Sequence, residues 1–331
     1  MNNDLSSYFE DPEFKEALEK YEGMVKNHTP AYFDADELTD IAEYYASKGR
    51  QIEAEAAIDF ALQLHPNDTD ALIFRARSLA MKGRLDEAYM VMDLIEDRSD
   101  REVRFLKADL LMEEKRMEEA DHVFEELAAY EEGKLETLID IILAYIDANQ
   151  EALAKKWIKH VGETYDLASL SQKSQKFRDL LCDFYITFNN PEAAIPLLQA
   201  TLDCYPYSIN HWNSLGKCYL STNDYEEAHE AIDFALAIDD SNAEALTLKA
   251  FCYQQSGELQ KSCDYYLRLA EQQENKTRAY LALAKTYFEM QDYTSSIYYI
   301  EALLDNKDAL SKYELSELYG DIALCLSLIH I

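Results

Sequence analysis

The chain has 331 residues, with 64 acidic side chains against 31 basic ones and a formal net charge of −33. A surface of that sign repels phosphate backbones and anionic lipid, so nucleic acid and membrane surfaces are poor partners for it. The N-terminus lacks a basic start followed by an apolar run, and there is no stretch of about twenty apolar residues to span a bilayer, so a cytoplasmic location is expected.

Residues 1–30 read as an N-terminal capping helix or a degenerate repeat, with one amphipathic helix from about Pro12. From residue 31 the chain repeats itself. Ala54, Ala88, Ala120, Ala154, Ala194, Ala228, Ser262 and Ser296 form a column of small residues, with intervals of 34, 32, 34, 40, 34, 34 and 34. Twelve residues before each stands a second, mostly small column: Ala42, Ala76, Ala108, Ile142, Cys182, Gly216, Ala250 and Ala284. Three residues after that comes Tyr or Leu (Tyr45, Leu79, Leu111, Tyr145, Tyr185, Tyr219, Tyr253, Tyr287). These spacings put the recurrent residues on one face of a helix and point to stacked helical hairpins, because a period of about 34 belongs to paired-helix arrays.

The turn inside each hairpin has its own column, Gly49, Gly83, Lys115, Asn149, Asn189, Asn223, Gly257 and Gln291. Six of the eight are Gly or Asn, residues that tolerate the left-handed conformation ending a helix.

The stretch Trp212, Leu215, Gly216, Tyr219, Ala228, Ile232 and Ala235 resembles the signature of the tetratricopeptide repeat family, and the resemblance runs over roughly residues 31–310. It implies an all-α, right-handed solenoid of antiparallel helix pairs (a superhelix) with about eight repeats plus terminal helices. The expected organisation is a first half of the array over 31–161, an inserted connection over 162–176 and a second half over 177–325 that ends in a truncated repeat. The departures from the family pattern are Lys115 at a turn, Ile142 at a small position, and a closing Pro after only two repeats, Pro66 and Pro206.

The 40-residue interval places extra residues between His160 and Phe177. Around it, Lys155, Lys156, Lys159, Lys173, Lys176 and Arg178 outnumber Glu151, Glu163 and Asp166, which makes this region a candidate second site for an acidic partner. At the other end, Leu326 to Ile331 is similar to the translation of a transposon-end adaptor used in sequencing. A non-native tail over 326–331 is therefore expected, with a natural chain that continues.

In the family the first helices line the concave face. Carried over to this chain, that groove holds Asp36, Glu43, Asp70, Asp109 and Glu113, with Ile73, Phe105, Ile139 and Leu143 as an apolar floor and Arg77 as its one positive charge. Residues 1–150 contain 37 acidic and 16 basic side chains, so the expected ligand is a basic or amphipathic peptide segment. Repeats that clamp a peptide carboxylate present Lys, Asn and Arg where this half presents carboxylates, so that role is not expected.

Catalysis finds no support. No two glycines lie closer than 26 residues, which excludes dinucleotide and phosphate loops, and no His-Glu-x-x-His or Cys-x-x-Cys occurs. The cysteines, including Cys218 and Cys252 one period apart, read as packing residues in a reducing compartment. The expectation is a non-enzymatic interaction scaffold with no metal, cofactor, nucleic acid, membrane or small-molecule substrate. Two other classes stay open: the recognition arm of a larger regulator or enzyme with a downstream effector domain, and self-association through an uncapped end.

Overall fold

A turn closes each hairpin in the same way. All eight turn-column residues have positive φ, from 53° at Asn189 to 79° at Gly257, including Lys115 (63°) and Gln291 (62°), whose side chains do not favour it. At each turn the amide of the next residue donates back to the carbonyl of the Tyr/Leu column: Arg50 to Tyr45 at 2.8 Å, Arg116 to Leu111 at 2.9 Å, Asp224 to Tyr219 at 2.8 Å and Asp292 to Tyr287 at 2.9 Å among them. This six-to-one closure satisfies carbonyls that a helix end would otherwise leave bare.

The computed structural model describes Phe9 and residues 11–27, 29–272, 276–304 and 312–329. His330 and Ile331 of the expected non-native tail, and residues 1–8, 10 and 28 of the expected N-terminal cap, lie outside the described residues. The described residues are all helix, turn and loop, without a strand. The chain falls into two compact units, residues 1–144 and 145–331.

In the first unit, α1 (Pro12–Asn27) precedes three hairpins: α2 (Ala35–Ser47) with α3 (Gln51–Leu64), α4 (Thr69–Met81) with α5 (Leu85–Met92), and α6 (Arg101–Glu113) with α7 (Met117–Tyr130). α8 (Leu135–Asp147) carries the chain into the second unit. α1 buries Phe14, Ala17 and Tyr21, and the Tyr21 ring meets Phe33 edge-on at 5.9 Å, so the helix packs against the start of the array. Asp68 and Asp100 cap α4 and α6 by accepting from the amides of Ala71 (2.9 Å) and Glu102 (2.8 Å). The second helices start instead on arginines that pair with the glutamate three residues on, as Arg84 does with Glu87. The 32-residue interval has a simple cause: α5 is eight residues long, and the chain turns early through the buried Ile95.

The second unit continues with α9 (Glu151–Thr164), α10 (Leu167–Lys173), α11 (Gln175–Thr187), α12 (Pro191–Cys204), α13 (Ile209–Thr222), α14 (Tyr225–Ile238), α15 (Ala243–Gln255), α16 (Leu259–Ala270), α17 (Lys276–Glu289), α18 (Tyr293–Leu304) and α19 (Lys312–Ile329). The longer interval is α10, a short helix added between two hairpins.

Both small columns are buried throughout. Gly216 shows why size matters there: a Cβ at that position would lie 2.7 Å from Cγ1 of Ile232, so α13 and α14 touch only because the side chain is missing. Ser296 fits its buried place by donating to the carbonyl of Ala284 at 2.8 Å.

Candidate functional site

The first helices of the first unit carry a strip of carboxylates. Asp36 and Glu43 stand on α2, Asp70 on α4, and Glu102 and Asp109 on α6. Arg77 of α4 reaches across to α6, 3.5 Å from Glu102 and 3.6 Å from Asp109. The remaining acids crowd one another. The Glu43 carboxyl is pushed above its ordinary range by loss of solvent first and by the charge of Asp40 next, with Asp70 and Glu102 adding to the shift and Arg77 opposing it. Asp70 is raised for the same reasons, by desolvation and then by Asp68, Asp36, Asp100 and Glu102. The strip therefore holds more negative charge than its cations neutralise.

Arg77 is not the strip's one cation, as the spacing alone suggests. Arg101, at the start of α6, pairs with Asp140, approaches Glu102 at 3.4 Å and Glu131 at 3.9 Å, and lies over the Phe105 ring at 5.2 Å. Its position one residue before Glu102 gave no sign of this, because its acid partners come from α7's end and from α8. Glu113 stands exposed at the end of α6.

The apolar floor is corrected by the structure. Ile73 is 4% exposed, in a cluster with Leu72, Ala76, Val103 and Leu106. Phe105 is 7% exposed and its ring lies 5.3 Å from that of Phe124, while Ile139 is 2% exposed. All three are core residues, because a first helix in a stack is flanked by neighbours and buries more than one stripe. Leu143 is half-buried, and the exposed apolar group on these helices is Met81.

The second candidate group divides. Lys155, Lys156 and Lys159 on α9, Lys173 on α10 and Lys176 on α11 are exposed; Lys155 donates to Glu151 at 2.5 Å, and Lys156 lies 5.6 Å from the Trp157 ring centroid. Arg178 does not belong with them. It is buried, and its guanidinium donates to the carbonyls of Ser171 at 3.0 Å and Gln172 at 3.4 Å, which makes it a structural tie for α10 rather than a contact for an acidic partner.

Five of the six thiols are buried and fit packing roles, while Cys204 is exposed. Burial pushes Cys182 up to about 12 and Cys218, Cys252 and Cys263 up to about 11, so none of these is a ready nucleophile. Among the described residues no cluster of His, Cys, Asp or Glu is placed to hold a metal, and no helix is long and apolar enough to cross a membrane.

Residues 39–89 and 213–277 match the profile of a family described as "Tetratricopeptide repeat". The chain is 26% identical over 191 residues to the formate-dependent nitrite reductase complex subunit NrfG of Escherichia coli O157:H7, a match covering 56% of this chain and 89% of that one. Among solved structures, it is similar to a tetratricopeptide repeat protein from Parabacteroides merdae ATCC 43184, at 16% identity with a TM-score of 0.48, over 76% of this chain and 98% of the other. It is also similar to the APC/C hetero-tetramer Cut9-Hcn1, at 15% identity with a TM-score of 0.46, over 94% and 58% of the respective chains.

Proposed function

This chain is a tetratricopeptide-repeat protein, and on that premise we propose that it is a non-catalytic scaffold whose first-helix face in residues 1–144 binds a basic or amphipathic segment of another polypeptide. One observation carries the reading. Asp36, Glu43, Asp70, Glu102 and Asp109 follow one another across three successive first helices, and the charge of Arg77 is already engaged by two of them. Repulsion among carboxylates held this way is relieved by a ligand that brings cations, so the smaller part of the Glu43 and Asp70 shifts, the part that comes from neighbouring acids rather than from burial, favours a basic partner. That the curated relative is named as a subunit of a complex is in keeping with a partner-binding role.

The test is binding of a fluorescein-labelled basic amphipathic peptide, compared with its Lys/Arg-to-Glu counterpart, to the full chain and to a variant carrying Asp70→Lys, Asp109→Lys and Glu113→Lys. The wild type should bind the basic peptide with an affinity that falls as salt rises, and the reversed variant should lose it. Equal binding by the two proteins would remove the strip as the site.

A further inference from the structure

On the second unit a cavity of about 480 Å³ opens between α12, α13 and α14, within the span of roughly 300–1,000 Å³ usual for ligand clefts. Its wall is aromatic. The rings of Trp212 and Phe234 stack with centroids 4.5 Å apart and 19° between planes, and Trp212 is held by its indole N–H, which donates to the carbonyl of Pro206 at 2.8 Å. Phe234 keeps 53% of its surface exposed, although its ring stacks on Trp212. Tyr219, whose hydroxyl accepts from Gln199 at 2.8 Å, completes the wall.

The rim is acidic. Asp203, Glu227 and Glu230 line the opening, and none of the lining residues is Lys, Arg or His. Some acids elsewhere in this unit do have cations, as Glu151 has Lys155, Asp233 has Lys249 and Glu258 has Lys261. Asp203, Glu227 and Glu230 form no ion pair among the described residues. Three carboxylates beside an aromatic wall suit a group that is flat, cationic and able to donate in several directions.

We propose that this cavity receives the guanidinium of an arginine side chain presented by a polypeptide partner. A guanidinium stacks on an aromatic face through cation–π attraction and points its N–H fork at rim carboxylates in the same pose. A lysine ammonium matches the charge but not the plane, and it holds its water more strongly. The alkyl stem of arginine covers the apolar part of the wall, where Leu202 and Leu215 lie. The site draws on the second unit alone and does not depend on the acidic strip of residues 1–144.

N-acetyl-arginine amide, N-acetyl-lysine amide and N-acetyl-citrulline amide are the probes, titrated into the full chain by calorimetry. They are also titrated into a Trp157→Phe variant, where Trp212 is the remaining indole and its fluorescence reports on the cavity. Citrulline keeps the shape and loses the charge, so the comparison needs no change in the wall. The arginine probe should quench Trp212 saturably, and the citrulline probe should bind roughly tenfold more weakly or worse. Glu227→Gln with Glu230→Gln should cost a similar factor while the helical signal and melting temperature stay close to wild type. Equal binding of citrulline, equal binding of lysine, or an arginine response that the double variant leaves unchanged would each overturn the proposal.

Discussion

Nε of Arg178, on α11, donates to the hydroxyl of Thr201, on α12, at 2.7 Å, and both side chains are buried. Thr201 in turn donates to the carbonyl of Leu197 at 3.0 Å, so one guanidinium links α11, α12 and the end of α10 through neutral oxygens. Arg178→Met keeps the length and removes every donor, leaving the carbonyls of Ser171 and Gln172 without this partner. The expected loss is about 2–4 kcal/mol, read by thermal or urea unfolding. A change below about 0.5 kcal/mol would show that water replaces the guanidinium freely.

Gly216 is expected to resist substitution despite standing inside a helix. Alanine there gains about 1 kcal/mol of helix propensity but drives its methyl into Cγ1 of Ile232 at 2.7 Å. Overpacking should win, giving a net loss of about 1–2 kcal/mol in urea unfolding. Ile232→Ala should remove the penalty, so the two changes combine non-additively.

Lys115 offers the opposite sign. Its φ of 63° is costly for a side chain with a Cβ and free for glycine, so Lys115→Gly should stabilise the protein by about 0.5–1 kcal/mol. Gly83→Ala, at the equivalent turn with φ 73°, should destabilise it by a similar amount, and differential scanning calorimetry reads both.

Glu43 ties stability to pH. Its folded pKa is raised above the unfolded value, so the ionised form is disfavoured in the fold, and stability from this site grows as pH falls through the folded pKa. Glu43→Gln should therefore be more stable than wild type at neutral pH, by about 0.5 kcal/mol given the solvent contact of the side chain. The advantage should close as pH drops through the interval between the folded and unfolded pKa values. Melting temperatures of both proteins across that range check it; a gap that widens on acidification has the wrong sign.

The hairpins were legible in the sequence because their geometry is written in residue size and spacing. Ala54 and its seven counterparts are buried because two backbones approach there, and eight turns close alike even where Lys115 and Gln291 replace the expected glycine or asparagine. The site was harder to read. Ile73, Phe105 and Ile139 lie at spacings that suit either a ligand-facing floor or a contact with the next helix pair, and burial alone separates the two. Arg178 looked like a neighbour of Lys176 along the chain, but α10 folds over it and turns a surface charge into an internal fastener. Arg101 escaped because its partners, Glu131 and Asp140, come from more than one other helix.

The identical closure of the turns bears on how such a chain can be edited. Ser208 and Asn242 each stand just ahead of a first helix, one period apart, so removing residues 209–242 would join Ser208 to Ala243 at an equivalent point of the repeat. The cut would delete Trp212 and Phe234 together and put Ser208 in the place of Asn242, whose side chain accepts from the amide of Ala245 at 2.9 Å. Length in this protein is thus a modular variable, gained or lost in whole units, and a surface built from adjoining modules, as the cavity is from α12, α13 and α14, changes when one of them is removed.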